Sequence, residues 1–228
     1  MVITGSADRV RVRPPLCAER VFTEAVALAD ADGIGAVTMR RLAQRLDVEP
    51  MSIYHHVPNK EAILDGMVDL VFEEITPPPA DAPWRAALRV RTLSARDALR
   101  RHPWAITLME TRLNPGPATL AHHDAVIGCL RSCGVSVPMA AHAFAVLDAF
   151  MYGFAMEEAT LPFSTPQETA DLAKSFLAQF PAERYPHLAE LTVEHVLAPG
   201  YDYGREFEFG LDLILDGLAQ AVAREGQD

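Results

Sequence analysis

The chain has 228 residues, half of them hydrophobic, and a formal net charge of −11 with a pI of about 5.1. That is enough for a sizeable core in one large or two small domains. The acidity excludes a uniformly basic nucleic-acid coat, and leaves room only for a local basic face on an acidic body.

The three cysteines, Cys17, Cys129 and Cys133, are too few and odd in number for a secreted disulfide framework. No run of about 18 apolar residues appears in the sequence, so no membrane span is expected. The N-terminus lacks the apolar core of a signal peptide. A cytoplasmic location is the expectation.

Residues 1–15 read as a flexible arm holding Arg9, Arg11 and Arg13 before Pro14 and Pro15. Such an arm can touch a minor groove or a phosphate, but charged termini are more commonly solvated tails. Residues 16–32 predict a helix with Val21, Phe22, Ala25, Val26, Leu28 and Ala29 on one stripe. Gly33 is placed to end it in a left-handed conformation.

The segment 38–60, TMRRLAQRLDVEPMSIYHHVPNK, is the most informative in the chain. Thr38 suits an N-cap, and Met39, Leu42, Ala43 and Leu46 follow at helical spacing. Asp47-Val48-Glu49 is a break, with Asp47 tolerating a left-handed backbone. Pro50 suits the first position of a second, very short helix anchored by Ile53 and Val57. Pro58 stops it and Asn59 caps the next. Two short helices across a three-residue turn make a helix-turn-helix layout. Its outer face carries Met51, Ser52, Tyr54, His55 and His56, whose hydroxyls and imidazoles suit phosphates and base edges. Arg40, Arg41, Arg45 and Lys60 against Asp47 and Glu49 leave this segment net positive in an acidic chain.

Thr38, Arg40, Leu42, Ala43, Leu46, Val48, Tyr54, His56, Val57, Asn59 and Lys60 in that order resemble the DNA-binding domain of TetR-family transcriptional repressors, over roughly 16–75. The resemblance implies that Thr38 caps its helix beside a phosphate and that Arg40 reaches a base. It implies phosphate contacts from Ser52, Tyr54 and Lys60, and a groove-facing set of Pro50, Met51, His55 and His56. Pro50 and Met51 depart from the pattern, since proline cannot replace the hydrogen bonds of a groove-reading amide. No operator sequence transfers.

The helix opened by Asn59 is predicted to run to about Ile75, with Ile63, Leu64, Met67, Val68, Val71 and Phe72 inward. Residues 76–83, with four prolines, admit no helix and mark a domain boundary. Residues 84–101 form an arginine-rich amphipathic helix whose Arg85, Arg89, Arg91, Arg96, Arg100 and Arg101 read as a solvated face. Further helices are expected over 104–112, up to Cys133, 138–160, 167–180, 187–197 and 206–224. Nothing reads convincingly as a strand. The last helix is apolar nearly all round, with Phe207, Phe209, Leu211, Leu213, Ile214, Leu215 and Leu218. A helix of that kind needs cover on two sides, and with 138–160 it predicts a four-helix homodimer interface of two-fold symmetry.

Cys129 and Cys133, four apart on one helix, admit a redox pair, but two small buried residues is the preferred reading. His122, His123, His142, Glu157 and Glu158 fit no metal motif. No nucleophile elbow, phosphate loop or carboxylate pair argues for catalysis, and no cofactor is implied. An effector pocket among the middle helices is expected to draw on His102, Trp104, Met109, His122, Phe144, Met151, Tyr152, Met156, Phe176 and Phe180.

The reading is an all-α chain: a flexible arm 1–15, a three-helix DNA-binding domain 16–76 and a larger helical domain 84–228 for effector binding and dimerisation. Its function would be a ligand-responsive DNA-binding regulator, a repressor released from double-stranded operator DNA by a small apolar effector. The rival is an all-helical ligand-binding protein or enzyme with an incidental helix-turn-helix.

Overall fold

The computed structural model describes residues 15–163, 165–179 and 182–225. The arginines of the N-terminal arm and Phe180 lie outside them. Among the described residues the regular elements are all helices, with no strand.

Helix α1 (Ala18–Asp32) buries Val21, Ala25, Leu28 and Ala29. Gly33 ends it at φ 80°, ψ 162°. This is an extended positive-φ conformation open to glycine, not the compact left-handed turn expected. A single 3₁₀ turn (Ile34–Ala36) leads into α2 (Met39–Leu46), α3 (Pro50–Tyr54) and α4 (Lys60–Glu73). Helix α3 has five residues and ends at Tyr54, two residues short of the end expected at His56. Gly66 sets how closely α1 and α4 pack. A Cβ there would fall 2.5 Å from the Phe22 ring, so only glycine admits the ring at this crossing.

Residues 76–83 are non-helical, as four prolines demand. The remainder is α5 (Trp84–Arg101), α6 (Ala105–Thr111), α7 (Pro117–Ser132), α8 (Val137–Thr160), α9 (Pro166–Leu177), α10 (Pro186–Leu191) with a following π turn (Thr192–Val196), and α11 (Gly204–Glu225). One core runs through α1–α4 and on into α5, α6 and α8, from Val21 to Ala155. A second joins α5, α7, α8 and α11 around Leu88, Leu130, Leu147, Phe207, Leu211 and Leu215. The apolar contacts therefore continue across the proline-rich segment.

Two expectations need correction. The α5 arginines are not a solvated face: Arg91 is 1% exposed and Arg96 7%. Arg85 and Arg89 pair with Asp212, Asp216 and Glu208 of α11, Arg101 with Glu74, and Arg100 with Glu158 at 3.7 Å. Helix α5 is packed by α4, α7, α8 and α11, so it has little open side, and the neighbours supply carboxylates. The second correction concerns α8. Its 24 residues, with mean hydropathy 1.4, are long and apolar enough to cross a membrane by composition, though only 33% of that stretch is buried. Its inner face (Ala140, Ala143, Leu147, Met151, Tyr152, Ala155) is core. Its other face leaves Ala145, Val146, Ala149, Gly153 and Met156 open.

Candidate nucleic-acid interface and effector cavity

The reading head is built by local chemistry. Thr38 Oγ1 accepts from the Arg41 N–H at 3.3 Å, which caps α2. Asp47 closes α2 at φ 55°, ψ 54°, and the Val48 N–H returns to the Ala43 carbonyl at 3.0 Å. Pro50 starts α3, and buried Ile53 and Val57 pin its inner side. Asn59 Oδ1 accepts from the Ala62 N–H at 2.8 Å and caps α4. Five residues cannot hold a helix alone in water. Helix α3 stands because α2 and the core hold it, and its outer face stays free.

That face carries the expected set. Thr38, Arg40, Pro50, Met51, Tyr54, His55, His56 and Lys60 are exposed and Ser52 is half-buried. Met51 is 67% exposed, a large apolar group left in water. The charge is more sharply divided than composition suggested. Arg41 pairs with Asp32, and Arg45 Nε donates to Glu24 Oε2 at 3.0 Å, both carboxylates lying on α1. Arg40 and Lys60 make no ion pair with the described residues. They flank the face at the start of α2 and of α4, where backbone N–H groups also favour an anion.

Behind the head, a set of polar contacts ties it to the larger helical body. Asp30 Oδ1 accepts from Trp104 Nε1 at 2.6 Å and meets His102 Nδ1 at 2.7 Å. His102 Nε2 meets Glu74 Oε1 at 3.1 Å, and Arg101 donates to Glu74 at 2.6 and 3.0 Å. Burial pushes the Glu74 carboxyl up, but hydrogen bonds from Arg101 and His102 and their charges outweigh it and hold it below the usual range. From α4, Asp65 and Glu61 take Arg112 (both 2.6 Å), and Asp69 accepts from the Ala118 and Thr119 N–H groups and the Thr119 hydroxyl.

A cavity of about 660 Å³ opens between α5, α8, α9 and the start of α11. Arg96, Arg100, Glu158, Thr169, Tyr203 and Phe163 are on its wall. Arg96 is buried in a bidentate pair with Glu158 (2.5 and 3.0 Å), donates to the Gly204 carbonyl, and lies over the Phe207 ring at 4.8 Å. The Tyr203 phenol is pushed up to about 12 by burial and by Glu157, whose carboxylate it donates to at 3.2 Å.

None of the described residues expected in an effector pocket lines this cavity. His102 and Trp104 belong to the contact with Asp30. Met156 and Phe176 are on the surface, at 38% and 58% exposure, and Met109 is half-buried. Three do converge. His122, Met151 and Tyr152 gather round Arg91 in the middle of the body, and Phe144 meets the His123 ring. Arg91 Nε donates to His122 Nε2 at 2.7 Å, and Nη1 donates to Asp148 Oδ1 at 3.1 Å with the Met151 sulfur at 4.0 Å. Burial, then the Arg91 charge, hold the His122 imidazole down at about 3, so it is neutral and accepts through Nε2. Phe72, His123 and Phe144 stack edge to face beside it. Burial and Asp148 raise the Tyr152 phenol. Sequence reasoning missed Arg91, Arg96 and Asp30. The one signal available for the first two was the abundance of arginine on a helix flanked by acidic ones. At the other candidate pair, burial, and then Cys133, raise the Cys129 thiol rather than activate it, and both thiols are free.

Comparison with known proteins agrees with this layout. Residues 21–67 match the profile described as bacterial regulatory proteins, tetR family, and 76–222 match the tetracyclin repressor-like C-terminal domain. The chain is 33% identical to the HTH-type transcriptional repressor DrrR1 of Streptomyces coeruleorubidus, covering 97% of this chain and 84% of that protein. It is 30% identical to an HTH-type transcriptional regulator of Saccharopolyspora erythraea, covering 94% and 89%. Among solved structures it is similar to apo ActR of Streptomyces coelicolor (TM-score 0.77, 28% identity, 94% of this chain and 100% of that one). It is also similar to ActR in complex with actinorhodin (TM-score 0.75, 30% identity, 92% and 99%).

Proposed function

Since the chain belongs to the tetR family of bacterial regulatory proteins, we propose that it is a repressor that binds operator DNA as a homodimer and leaves it when a small effector occupies the helical body. The observation that carries this is the exposed face of α2, α3 and α4. It places Arg40 and Lys60, which make no ion pair with the described residues, beside Tyr54, His55 and His56 on a head whose inner side is fully core. Arg40 and the α3 face would meet base edges, while Thr38, Ser52, Tyr54 and Lys60 would hold phosphates.

The dimer reading rests on two open apolar stripes. Phe209 and Leu213, 69% and 64% exposed, lie one turn apart on α11, with Gly217 a further turn on and nothing near its Cβ position. On α8, Val146, Ala149, Gly153 and Met156 form the matching stripe. Joining these faces in a second copy would bury both and set two heads at half-site spacing.

The 660 Å³ cavity is of a size for a small effector. Its wall mixes arginines and carboxylates with Phe163 and Tyr203, so the effector is amphiphilic rather than mostly apolar. The solved complex of ActR with a small molecule supports a ligand-binding body. Effector binding would shift α5 and α8, and through Arg112 and Asp69 the tilt of α4 and the spacing of the heads. It acts only through its unequal affinity for the two arrangements.

The test is fluorescence anisotropy on the DNA flanking the gene, with random DNA as control, over a salt series. Preferential binding with a log–log salt slope of several phosphate contacts per dimer is expected. Tyr54→Ala with Lys60→Ala should abolish it with fold and dimer intact. Unchanged affinity in that double variant would sink the assignment of the face.

A further inference from the structure

His102 follows the last turn of α5 and is 7% exposed. Both of its ring nitrogens face a carboxylate oxygen. Nδ1 stands 2.7 Å from Asp30 Oδ1 on α1, and Nε2 stands 3.1 Å from Glu74 Oε1 at the end of α4. Both are hydrogen-bond lengths. An ionised carboxylate only accepts, whereas a neutral imidazole carries one N–H and one bare lone pair. With a single ring proton, one of the two contacts would set lone pair against lone pair. Only the imidazolium donates to both.

The surroundings favour that form. Among the described residues, the charged groups at the ring are Asp30 from α1 and Glu74 from α4, with Arg101 of α5 bound to the far oxygen of Glu74. Helix α6 contributes the Trp104 indole, which is neutral and donates to Asp30. Two carboxylates against one guanidinium leave a net −1, which an imidazolium cancels. His102 also lies at the carbonyl end of the 18-residue α5, where a cation is stabilised. Burial raises the Glu74 carboxyl, yet hydrogen bonds from Arg101 and His102 and their charges hold it below its usual range. Glu74 therefore stays an acceptor, and the proton between it and His102 belongs to the ring.

We propose that the second ring proton of His102 is a tie between head and body, and that it makes this joint responsive to pH. With the proton in place, α1 and the end of α4 are both fastened to the turn between α5 and α6. Without it, His102 keeps Asp30, the shorter contact, and Glu74 lets go and stays with Arg101 alone. Imidazole is the side chain whose charge changes in the physiological range. The tie is whole at lower pH, and its Glu74 half is lost as pH rises. A movement of the body then reaches α4 less firmly through this joint. The regulatory sense of the tie rests on the head as the DNA-binding part and the helical body as the effector part.

The test compares the full-length protein with Glu74→Gln. Glutamine can turn its amide N–H toward a bare Nε2 and still accept from Arg101 through its carbonyl, so the variant keeps the contact with one ring proton fewer. Long-range proton–nitrogen correlation spectra count the ring protons of His102, whose signals are assigned by their loss in His102→Gln. Hydrogen exchange follows the Glu74 and Ile75 amides, bonded to the Val71 and Phe72 carbonyls, and the Gly33 amide, bonded to Ala29. At about pH 7, two ring protons are expected in the native chain and one in Glu74→Gln. Between about pH 7 and 9 the Glu74 and Ile75 positions of the native chain should lose about tenfold more protection than those of the variant, the worth of one charge-assisted hydrogen bond. Gly33 should behave alike in both. A bare Nε2 opposite Glu74 in the native chain at that neutral pH, or equal loss of protection in the two proteins, overturns the proposal. Loss at Gly33 together with the end of α4 would put the break at Asp30 and overturn the assignment of the weaker side. Operator binding is measured at one neutral pH on the same preparations. Absence of DNA preference would sink the repressor reading, whereas intact preference with a bare Nε2 would sink the proton tie alone.

Discussion

Asp47 turns the chain between α2 and α3 at φ 55°, ψ 54°, the single non-glycine residue with positive φ among those described. An L-residue pays about 1–2 kcal/mol there, which Asp partly recovers through local hydrogen bonding. Asp47→Val should lower stability by about that amount, and Asp47→Gly should stay within about 1 kcal/mol of the native chain. Parallel thermal melts check both, and a melt in which Val is tolerated as well as Gly would contradict the strain argument. His122 makes a second prediction at this scale. Its folded pKa of about 3 lies below the unfolded value of 6.5. Above pH 6.5 both states are neutral there and the residue gives no pH dependence. Between 6.5 and 3 the unfolded chain binds the extra proton, so stability falls as pH falls, by up to about 1.4 kcal/mol per unit. His122→Gln, which can still accept from Arg91, should flatten that acid limb in urea titrations at stepped pH. An unchanged slope would mean that His122 is not held neutral. Thr38, Asp47, Pro50 and Asn59 were legible in the sequence because caps and turns depend on a few neighbouring atoms. His122 was legible as a candidate, but not its state, which is set by Arg91, 31 residues away.

At the scale of elements, the helices were readable from periodicity, and their ends from Gly, Pro and capping residues. Helix α5 shows where such reading stops. Six arginines on 18 residues look like a water-facing stripe, yet the helix lies between others and its arginines meet carboxylates of α8, α11 and the end of α4. Periodicity reports the spacing of polar groups and not what stands opposite them. The two exposure classes predict different costs. Arg96→Ala removes a bidentate partner of Glu158, the donor to the Gly204 carbonyl and the cation over Phe207. Breaking a buried pair in this way costs about 3–5 kcal/mol. Arg100, whose side chain is 59% exposed and 3.7 Å from the same carboxylate, should cost less than about 1 kcal/mol when changed to Ala. Urea midpoints at constant slope measure both, and equal losses would show that burial is not what separates them.

Across the whole molecule, function depends on contacts that no sequence pattern pairs. The open stripes of α8 and α11 predict that Leu213→Asp, placed among apolar groups, will give monomers by sedimentation with the helical content unchanged. A stable dimer in that variant would move the interface elsewhere. The link between head and body is the larger question. Asp30 sits on α1, yet it takes the Trp104 indole N–H and meets His102, 74 and 72 residues on. His102 and Trp104 were expected in a ligand pocket because they are large and partly polar, and those properties equally suit a packed polar joint. If this joint carries the effector signal, Asp30→Ala should leave the Arg40–Lys60 face in place and operator affinity near the native value without effector. The effector's power to weaken DNA binding should shrink toward unity from a coupling of about 5–150-fold, the usual range of 1–3 kcal/mol. The affinity of the effector for DNA-free protein should change little, since Asp30 is not among the residues that line the cavity. Anisotropy titrations with and without saturating ligand give all four affinities of the cycle. A coupling ratio unchanged in Asp30→Ala would place the signal in the other connection, through Arg112 and Asp69 to α4, and the same cycle on Arg112→Ala would then locate it.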